Sequence, residues 1–324
     1  MKLLITGGAG YIGSHVVKAL GAQNHDLIIY DNLSTGHREA VTSGELVVGD
    51  LEDAEKLREL FRTHQFDGVL HFAGSIVVPE SVENPIKYYK NNTLNSLKLI
   101  ELCREFHVNK FIFSSTAAVY GIPESGLCSE ESVTQPINPY GQSKLMTEHM
   151  LRDVSFASDF RYVALRYFNV AGADPEGQIG QSFPQATHLI KVASELACGK
   201  RESMKVFGTD YPTPDGTCVR DYIHVCDLAS AHVAALDYLA QGGESNIFNC
   251  GYGKGFSVKE VLTKVEEVTG KKLNAINEER RAGDPASLTA VVSKIHKHLV
   301  WKPQYDDLSF IIKTAYEWEQ KRHY

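Results

Sequence analysis

The segment NPYGQSK, residues 138–144, places a tyrosine and a lysine four residues apart, Tyr140 and Lys144. Asn-Pro is a typical start of a helix, and positions four apart lie on the same helix face. A tyrosine has an ordinary pKa of about 10, and a lysine ammonium beside it favours the phenolate and lowers that pKa. Lowering it to about 7 requires about 4 kcal/mol of differential stabilisation. The pair therefore predicts a proton-transferring tyrosine, although a surface helix that carries the same two residues is the alternative.

A glycine-rich turn follows the first apolar run of the chain in ITGGAGYIGSH, residues 5–15. Gly8, Gly10 and Gly13 fit the G-x-G-x-x-G pattern, and Gly7 with the last two fits its wider variant. Glycines let the backbone approach a pyrophosphate, and the N-terminus of the next helix faces the anion. Because the turn stands between a strand and a helix, we interpret it as a dinucleotide site rather than a purely structural turn.

Acidic residues end two further apolar runs. Asp31 ends DLIIYD, 18 residues after Gly13. A carboxylate at this position can accept hydrogen bonds from both hydroxyls of an adenosine ribose and would repel a 2′-phosphate, so the sequence favours NAD over NADP. Asp50 ends ELVVGD, where it could either reach the adenine amine or cap a helix. The FAG segment, residues 72–74, ends a third run and could pass close under the cofactor.

The composition excludes several classes of protein. The chain has 324 residues, of which 43% are hydrophobic and 23% charged, values typical of a globular enzyme with a core of its own. A net charge of -7 with both signs interspersed argues against nucleic-acid and membrane-surface binding. The six cysteines and 13 histidines are scattered, so we expect neither disulfides nor a metal site. No apolar run approaches about 18 residues and the N-terminal run is too short for a signal peptide, so we expect a cytoplasmic protein.

The first half of the chain alternates strand-like and helix-like patterns. The predicted strands are KLLIT, DLIIYD, ELVVGD, DGVLHFAG, KFIFSST and RYVALRYFN. Helices are predicted for YIGSHVVKALGAQ, for EDAEKLRELFRTH, for about residues 85–107 and for the segment with Tyr140. This alternation predicts an α/β fold with a Rossmann-type doubly wound parallel sheet, covered by helices on both faces. Ligands of such sheets bind beyond the carboxyl ends of the strands.

The second half has a different character. After Asn169 turn residues are frequent, helices are predicted at about 226–240, 257–269 and 306–321, and strands such as NIFNCG are short. We therefore predict a dinucleotide-binding domain over residues 1–177, to which about residues 222–252 return. A smaller mixed α/β lobe over residues 178–324 would hold most of the substrate site.

These motifs together resemble the extended short-chain dehydrogenase/reductase family. The glycine turn, Asp31, SST at 114–116 and the Tyr140/Lys144 pair come in the order and spacing of that family. The similarity is greatest to its UDP-hexose 4-epimerase branch and extends over nearly the whole chain, through DNLSTG, YYKNN, LRYFNVAGA, YPTPDGTCVRDYIHV and RRAGD. The segment YPTPDGTCVRDYIHV is the most specific of these, because it distinguishes this branch from most other members of the family.

The resemblance implies an NAD-dependent isomerase of galactose metabolism that interconverts UDP-galactose and UDP-glucose through a transient 4-keto sugar. Tyr140 would be the acid/base, Lys144 would hold the nicotinamide ribose, and Thr116 would share the proton of the 4-hydroxyl. The residues predicted to bind the cofactor are Gly7, Gly10, Tyr11, Ile12, Gly13, Asp31, Asn32, Asp50, Leu51, Phe72, Ala73, Gly74, Asn91, Ser114, Tyr140, Lys144 and Phe168. Those predicted to bind the substrate are Thr116, Tyr140, Asn169, His188, Leu189, Lys205, Phe207, Arg220, Tyr222, Arg281, Asp284 and Leu288. A homodimer formed through the helices of residues 85–107 and 140–155 is also implied.

Two arginines of the second half fit a diphosphate ligand. Arg220 and Arg281 are predicted to lie in turn-rich segments, and the guanidinium fork suits phosphate oxygens. Ordinary surface salt bridges are the alternative for either residue alone. Leu288 falls near the expected position of the sugar's 2-substituent, so it would control the space for an N-acetyl group.

A few residues depart from the family pattern. Thr116 replaces a common serine, Ile76 stands where some members carry a lysine, and His188 stands where asparagine is frequent. Val291 also differs from the usual sequence after RRAGD. Thr116 keeps the hydroxyl of the serine, whereas Ile76 would lack the contact that a lysine makes near the nicotinamide ribose.

Other activities of the same fold remain as alternatives. These are an N-acetylhexosamine epimerase, a 4,6-dehydratase, a decarboxylase and a dinucleotide sensor without catalysis. A dehydratase needs an acidic pair after Thr116, where this chain has Ala117 and Ala118. A sensor would not need the Tyr140/Lys144 pair, which this chain keeps.

Overall fold

The structure, a computed structural model, describes residues 1–183, 187–281, 283–322 and 324. Its strands are β1 (Lys2–Thr6), β2 (Asp26–Asp31), β3 (Glu45–Val48), β4 (Gly68–His71), β5 (Lys110–Ser114), β6 (Leu127–Cys128), β7 (Arg161–Tyr167), β8 (Asn169–Ala171), β9 (Met204–Phe207), β10 (Val219–His224), β11 (Asn246–Cys250), β12 (Gly255–Ser257), β13 (Ala275–Glu278) and β14 (Ser287–Ala290). Its helices are α1 (Tyr11–Ala22), α2 (Ala54–Thr63), α3 (Val78–Glu83), α4 (Pro85–Tyr88), α5 (Asn95–Glu105), α6 (Pro139–Phe156), α7 (Leu189–Ala197), α8 (Val225–Ala240), α9 (Val258–Thr269), α10 (Ser293–His298) and α11 (Leu308–Lys321). Short 3-10 turns occur at Arg38–Ala40 and Ala117–Tyr120, and a π-helical turn at Tyr89–Leu94. In these described ranges, no helix has the length and apolar character that a membrane span requires.

Seven strands form one sheet in the order β11-β7-β5-β4-β1-β2-β3, and all its pairs are parallel. The apolar runs of the central strands are buried, as a parallel sheet between two helical layers requires. After β1 the chain adds β2 and β3 on one side of the sheet. It then crosses to the other side of β1 and adds β4, β5, β7 and β11 there. A crevice therefore opens between the carboxyl ends of β1 and β4. The predicted Rossmann-type doubly wound sheet is confirmed.

Two apolar layers hold this sheet rigid. On one face α1 and α8 contribute fully buried residues such as Val16 and Leu228. On the other face α2 and α6 contribute Leu57 and Leu151, which are also fully buried. Full burial of one such side chain stabilises the fold by about 1.5–3 kcal/mol. The strand ends and helix starts that border the crevice are therefore fixed from both sides.

A second sheet runs β12-β10-β14-β6, and β8 pairs with β10 beside it. In this sheet Asn169 lies opposite Tyr222, and Arg220 lies opposite Leu288. Four residues that the sequence predicts to bind substrate thus share one set of backbone pairings. β11 belongs to the large sheet, where it pairs with β7. The division into domains at residue 177 stays a prediction.

The helix predicted over about residues 85–107 is interrupted. α4 passes into the π-helical turn Tyr89–Leu94 and then into α5, and the separate helix α3 precedes them. Within the π turn the side chain of Asn92 is buried and makes three hydrogen bonds. Its Oδ1 accepts the Ser75 N–H at 2.7 Å. Its Nδ2 donates to the Ser75 carbonyl and to Ser143 Oγ, both at 3.0 Å. Apolar periodicity does not report such polar contacts, so the sequence predicted one continuous helix.

The structure excludes one of the two alternatives for Asp50 and differs from the sequence pattern at Arg220. The N-cap of α2 is Asp53, whose Oδ1 accepts the Lys56 N–H at 3.0 Å, so Asp50 does not cap this helix. Arg220 lies on β10 and not in a turn, although turn residues surround it in the sequence. Pairing of β10 with strands on both sides outweighs the local turn preferences.

Gly7 offers a test of the close contact between β1 and β4. It has φ +75°, and an added Cβ would lie 2.4 Å from the Ala73 nitrogen. Gly177 has a nearly equal φ of +72° with nothing within 4 Å of the added Cβ. We expect Gly177→Ala to lower the free energy of unfolding by about 1–2 kcal/mol, the cost of a left-handed residue, and Gly7→Ala to lower it by about 1–3 kcal/mol more. Urea unfolding measures both, and equal losses would contradict the close packing at Gly7.

Candidate active site

A cavity of about 1240 Å³ begins at the crevice and reaches the second sheet. Every residue that the sequence predicts to bind cofactor or substrate lines this cavity, except Lys144. Most cofactor residues lie at or after the carboxyl ends of β1 to β5, while most substrate residues come from β8, β9, β10, β14 and the start of α7. The structure thus brings the two predicted sets together in one continuous space. Their individual roles stay predictions.

The glycine turn forms the floor of the cavity at one end. An added Cβ on Gly13 would lie 2.3 Å from the Gly7 carbonyl oxygen, so α1 packs directly against the turn. The Ser14 N–H donates to the Gly10 carbonyl at 2.9 Å and closes the first turn of α1. The first N–H groups of a helix have no hydrogen-bond partner inside the helix. In α1 these groups belong to Tyr11, Ile12 and Gly13, and all three residues line the cavity. This arrangement fits a pyrophosphate.

Asp31 is held at the end of β2 by two backbone groups. Oδ2 accepts the Ala9 N–H at 3.0 Å, and Oδ1 accepts the Leu33 N–H at 2.8 Å. Burial raises the pKa of Asp31, although both hydrogen bonds act to lower it. The carboxylate is oriented before any ligand binds, as ribose recognition requires.

Asp50 lies on the rim nearby. Its Oδ1 accepts the Glu52 N–H at 2.9 Å, and its Oδ2 accepts from Asn32 Nδ2 at 2.7 Å. Asn32 and Asp50 therefore form one polar wall of the cavity, between β2 and the segment that leads into α2. This wall is available to an adenine ring without any change of the helix cap at Asp53.

Tyr140 stands in the first turn of α6. Asn138 caps this helix by accepting the Gly141 N–H at 2.9 Å, and proline follows at the first helical position. The Tyr140 ring is 7% exposed and packs edge-on against Tyr88. Burial raises the pKa of Tyr140, and a hydrogen bond with the Thr116 hydroxyl lowers it. Since the pKa is raised on balance, the chain alone keeps the phenol protonated at neutral pH.

Lys144 lies behind the cavity wall, one helical turn further on. Its Nζ donates to the Ser114 carbonyl at 2.9 Å and lies 4.9 Å from the centre of the Phe113 ring. Burial lowers the pKa of Lys144 to about 8, although the negative charge of Glu148 acts to raise it. In the chain alone, burial of the phenol raises the pKa of Tyr140 on balance. The expectation that Lys144 together with a bound cationic cofactor favours the phenolate stays a prediction.

Cationic residues border the opposite end of the cavity. Arg281 binds Asp284 through an Nε to Oδ2 contact of 2.9 Å, and its guanidinium lies 4.6 Å from the centre of the Phe207 ring. Arg220 donates to the Val219 carbonyl at 2.8 Å, and no carboxylate partner accompanies it in the part of the chain that the structure describes. Lys205 pairs with Glu278 at 3.0 Å. Arg220 is therefore the cation with most capacity for an anionic ligand.

The start of α7 adds a further polar edge. His188 immediately precedes the helix, and its Nδ1 lies 2.9 Å from Gln181 Nε2. Burial lowers the pKa of His188, so the imidazole is neutral near pH 7. Leu189 begins the helix, and both residues line the cavity. They offer hydrogen bonding and an apolar contact, but no charge.

Several lining residues were not predicted. Ser34, Thr35, Tyr167 and Cys218 stand inside motifs that carried the resemblance, so a signal for them existed. No such signal marks a further group of lining residues, which includes Tyr30, His37, Val78, Val82, Gln181, Ser182, Phe183, Arg201 and Val258. Ser182 is the most informative of them, because its buried hydroxyl has no hydrogen-bond partner within the described ranges.

The site combines a glycine turn, an oriented carboxylate and a buried tyrosine with a buried lysine. This combination resembles the site of an extended short-chain dehydrogenase/reductase. A model of the NAD dependent epimerase/dehydratase family matches residues 3–251, well over half of the chain. The chain belongs to this family.

Relatives of known name cover the full length. A UDP-glucose 4-epimerase of Azospirillum brasilense is 55% identical over 320 residues, which are 98% of this chain and 92% of that protein. The structure of the UDP-Glc/GlcNAc 4-epimerase from Campylobacter jejuni is similar with a TM-score of 0.87 and 51% identity, over 99% of both chains. That of the UDP-glucose 4-epimerase from Brucella ovis in complex with NAD has a TM-score of 0.95 and 44% identity, over 98% of both chains. The likeness therefore includes both ends of the cavity.

Thr116→Val would test the electrostatics of this site. It removes the hydroxyl that lowers the pKa of Tyr140 and keeps the side-chain shape, so we expect that pKa to rise further above about 10. The titration of ring-labelled tyrosine can be followed by NMR, with Tyr140→Phe to assign the signal. Thr63→Val, at an exposed position on α2, should leave the pKa of Tyr140 unchanged. An unchanged pKa in Thr116→Val would mean that the hydroxyl does not contact the phenol.

Proposed function

We propose that this chain interconverts UDP-galactose and UDP-glucose by inverting the configuration at C4 of the sugar. The observation that carries the proposal is the single cavity, which joins a dinucleotide turn, a buried tyrosine with a threonine hydroxyl, and an arginine-bordered end. An epimerase needs these three parts together, because the cofactor, the reacting carbon and the nucleotide handle have to be held at the same time. The full-length relatives support the same activity.

The residues around the glycine turn and at the ends of the neighbouring strands fit NAD. The glycine turn and the first N–H groups of α1 would hold the pyrophosphate, Asp31 the adenosine ribose, and Asn32 with Asp50 the adenine. When bound, NAD supplies a hydride acceptor at its nicotinamide and a positive charge that favours the Tyr140 phenolate. Asn91, Ser114 and Phe168 would border the nicotinamide end of the cofactor, and Lys144, which donates to the Ser114 carbonyl, would reach the nicotinamide ribose from behind this wall.

Tyr140 is the proposed acid and base. As phenolate it takes the proton of the C4 hydroxyl, and as phenol it returns the proton to the same oxygen when the hydride is added back to C4 from the opposite face. Thr116 lines the cavity and hydrogen-bonds to this phenol, so its hydroxyl can pass the proton between sugar and tyrosine. Tyr140 is largely buried in the cavity wall, so bound cofactor and sugar would shield the exchange from water and protect the ketone that forms at C4.

The arginine-bordered end of the cavity would keep the sugar from leaving during the reaction. Arg220 and Arg281 would bind the diphosphate, and Phe207 would contact the uracil ring. Asn169 and Tyr222, on neighbouring strands, and Leu189, at the start of α7, would complete the nucleotide pocket. Lys205, His188 and Asp284 would contribute polar contacts at its edge. The sugar itself can turn over between the two halves while its diphosphate stays bound.

The other activities of the fold have less support. Ala117 and Ala118 follow Thr116 in a short 3-10 turn, so the acidic pair of a 4,6-dehydratase is missing from that position. A second candidate activity, on UDP-N-acetylhexosamines, is favoured by the half-buried Leu288 in the cavity wall and by the name of the Campylobacter jejuni relative.

We also propose a cytoplasmic homodimer. Tyr89, Leu94 and Met146 are exposed apolar side chains on the π turn and on α6, the two regions through which the family resemblance predicts pairing. The six cysteines are free, as expected in a reducing compartment. Light scattering should give twice the mass of the chain, and a monomer at micromolar concentration would contradict the dimer.

Purified protein incubated with UDP-galactose tests the activity. We expect UDP-glucose to form without net production of NADH, because the hydride that leaves C4 returns to it. Accumulation of NADH, or of a 4-keto-6-deoxy sugar, would contradict the proposal.

Tyr140→Phe should abolish turnover while binding of NAD and UDP persists, because the change removes only the hydroxyl. General acid/base groups contribute about 10²–10⁴-fold, so a residual rate above one tenth would mean that another residue is the base. Lys144→Ala should also lose activity and retain NAD less tightly. Tyr238→Phe, on α8 and outside the cavity, serves as the matched control and should keep the wild-type rate.

Leu288 should set the preference for the 2-substituent of the sugar. We expect Leu288→Tyr to remove activity on UDP-N-acetylgalactosamine and spare UDP-galactose, and Leu288→Ser to raise the former. The ratio of kcat/KM for the two substrates should change by roughly 10- to 200-fold, the scale of one steric contact in an apolar pocket. Leu127→Tyr and Leu127→Ser, at an exposed position on the neighbouring strand β6, are the controls. An unchanged ratio in the Leu288 variants would show that this side chain does not border the sugar.

A further inference from the structure

A buried ion pair joins α6 to β7 outside the cavity. Arg166 Nη2 lies 2.6 Å from Glu148 Oε2, and Nε lies 3.0 Å from Oε1, so the contact has two points. The side chains are 5% and 1% exposed, and neither lines the cavity. The pair therefore has no direct route to a ligand, and any functional role has to act through its neighbours.

The neighbours of this pair satisfy its remaining polar atoms. Ser115 Oγ donates to Glu148 Oε1 at 2.5 Å, and Arg166 Nη1 donates to the Tyr120 hydroxyl at 3.0 Å. Tyr120 donates in turn to Asn249 Oδ1 at 2.6 Å, and Asn249 Nδ2 donates to the Cys128 carbonyl at 2.8 Å. A connected network of this kind has one low-energy arrangement, because each group depends on the next.

This network connects the elements that carry the proposed reacting groups. Glu148 lies on α6 four residues after Lys144 and eight after Tyr140, and thus on the same face of that helix. Ser115 lies between Ser114, which accepts from Lys144, and Thr116, which contacts Tyr140. The ion pair is therefore attached to both sides of the proton-transfer site.

Stability alone is a weak reason for such a pair, since apolar residues of similar volume often serve equally well in a core. We propose that Glu148 and Arg166 are positioning residues, which fix α6 against the end of β5 so that Tyr140 and Lys144 meet Thr116 and the nicotinamide end of the cavity in reactive geometry. This inference rests on the proposed function, in which Tyr140 is the acid and base.

Glu148 also acts on Lys144 through its charge. Burial lowers the pKa of Lys144, and the carboxylate is the group that opposes this. The other titratable groups nearby are Tyr140 on α6, His71 on β4, and Tyr167 and Arg166 on β7. Burial lowers the pKa of His71 to about 3, so this histidine is neutral. Without the carboxylate, the ammonium of Lys144 would lose its proton at a lower pH.

Glu148→Gln tests the inference, because glutamine keeps the shape and can still accept from Ser115. We expect kcat for UDP-galactose to fall by about 10- to 100-fold with KM changed less than about threefold, the loss that a misplacement of about 1 Å causes. We also expect the pKa of Lys144, followed by NMR of labelled lysine, to fall below about 8. The alkaline limb of the pH-rate profile should move to lower pH by the same amount.

The matched control is Glu319→Gln. Glu319 is equally buried and paired, with Lys191 and with Lys200, but lies outside the large cavity. Glu319→Gln should lower the melting temperature about as much as Glu148→Gln does, while kcat and the pKa of Lys144 stay at their wild-type values. An equal loss of kcat in both variants, or an unchanged pKa in Glu148→Gln, would overturn the inference.

Two milder variants keep the inference testable if Glu148→Gln does not fold. Arg166→Lys keeps the charge but loses the two-point contact, and Ser115→Ala removes one hydrogen bond. Both should lower kcat less than Glu148→Gln, and wild-type kcat in both would overturn the inference. If wild-type protein has no epimerase activity, the proposed function fails, whereas the pKa of Lys144 still tests the electrostatic part.

Discussion

The hydrogen bond from the Lys144 ammonium to the Ser114 carbonyl is the contact on which the arrangement of the site depends. It ties the first turns of α6 to the last residue of β5 in a buried setting, where an unpaired ammonium would be strongly unfavourable. The sheet fixes β5 from both sides through β4 and β7, so the bond gives α6 one allowed position. The same bond also fixes the place of Tyr140, because Tyr140 lies one turn before Lys144 on the same helix.

The two ends of the cavity are connected through backbone rather than through side chains alone. β8 follows β7 after a single residue, so the strand that carries Asn169 continues directly from the large sheet. The Tyr11 hydroxyl, in the first turn of α1, donates to the Gly172 carbonyl at 2.6 Å just beyond β8. Lys18 pairs with Asp174 at 2.8 Å in the same region. The glycine turn and the arginine-bordered end of the cavity are thus connected through one continuous framework.

The sequence was sufficient for features that rest on local chemistry. Gly7 and Gly13 are required by close backbone contacts, and the buried apolar runs require a parallel sheet between helices. It was insufficient where long-range contacts decide. The π turn depends on what Asn92 contacts, the strand at Arg220 depends on its partners, and the pKa of Tyr140 depends on burial in the folded chain. The unpredicted lining residue Ser182 was invisible for the same reason.

The place of β11 has a consequence for synthesis of the chain. β7 pairs with β5 on one side, and its other side is covered only by β11, which is encoded far downstream at Asn246–Cys250. On the ribosome, the first six strands of the large sheet can therefore assemble while one edge still exposes unpaired N–H and C=O groups. Such an edge can pair with another nascent chain. Completion of the sheet has to wait until most of the polypeptide has emerged.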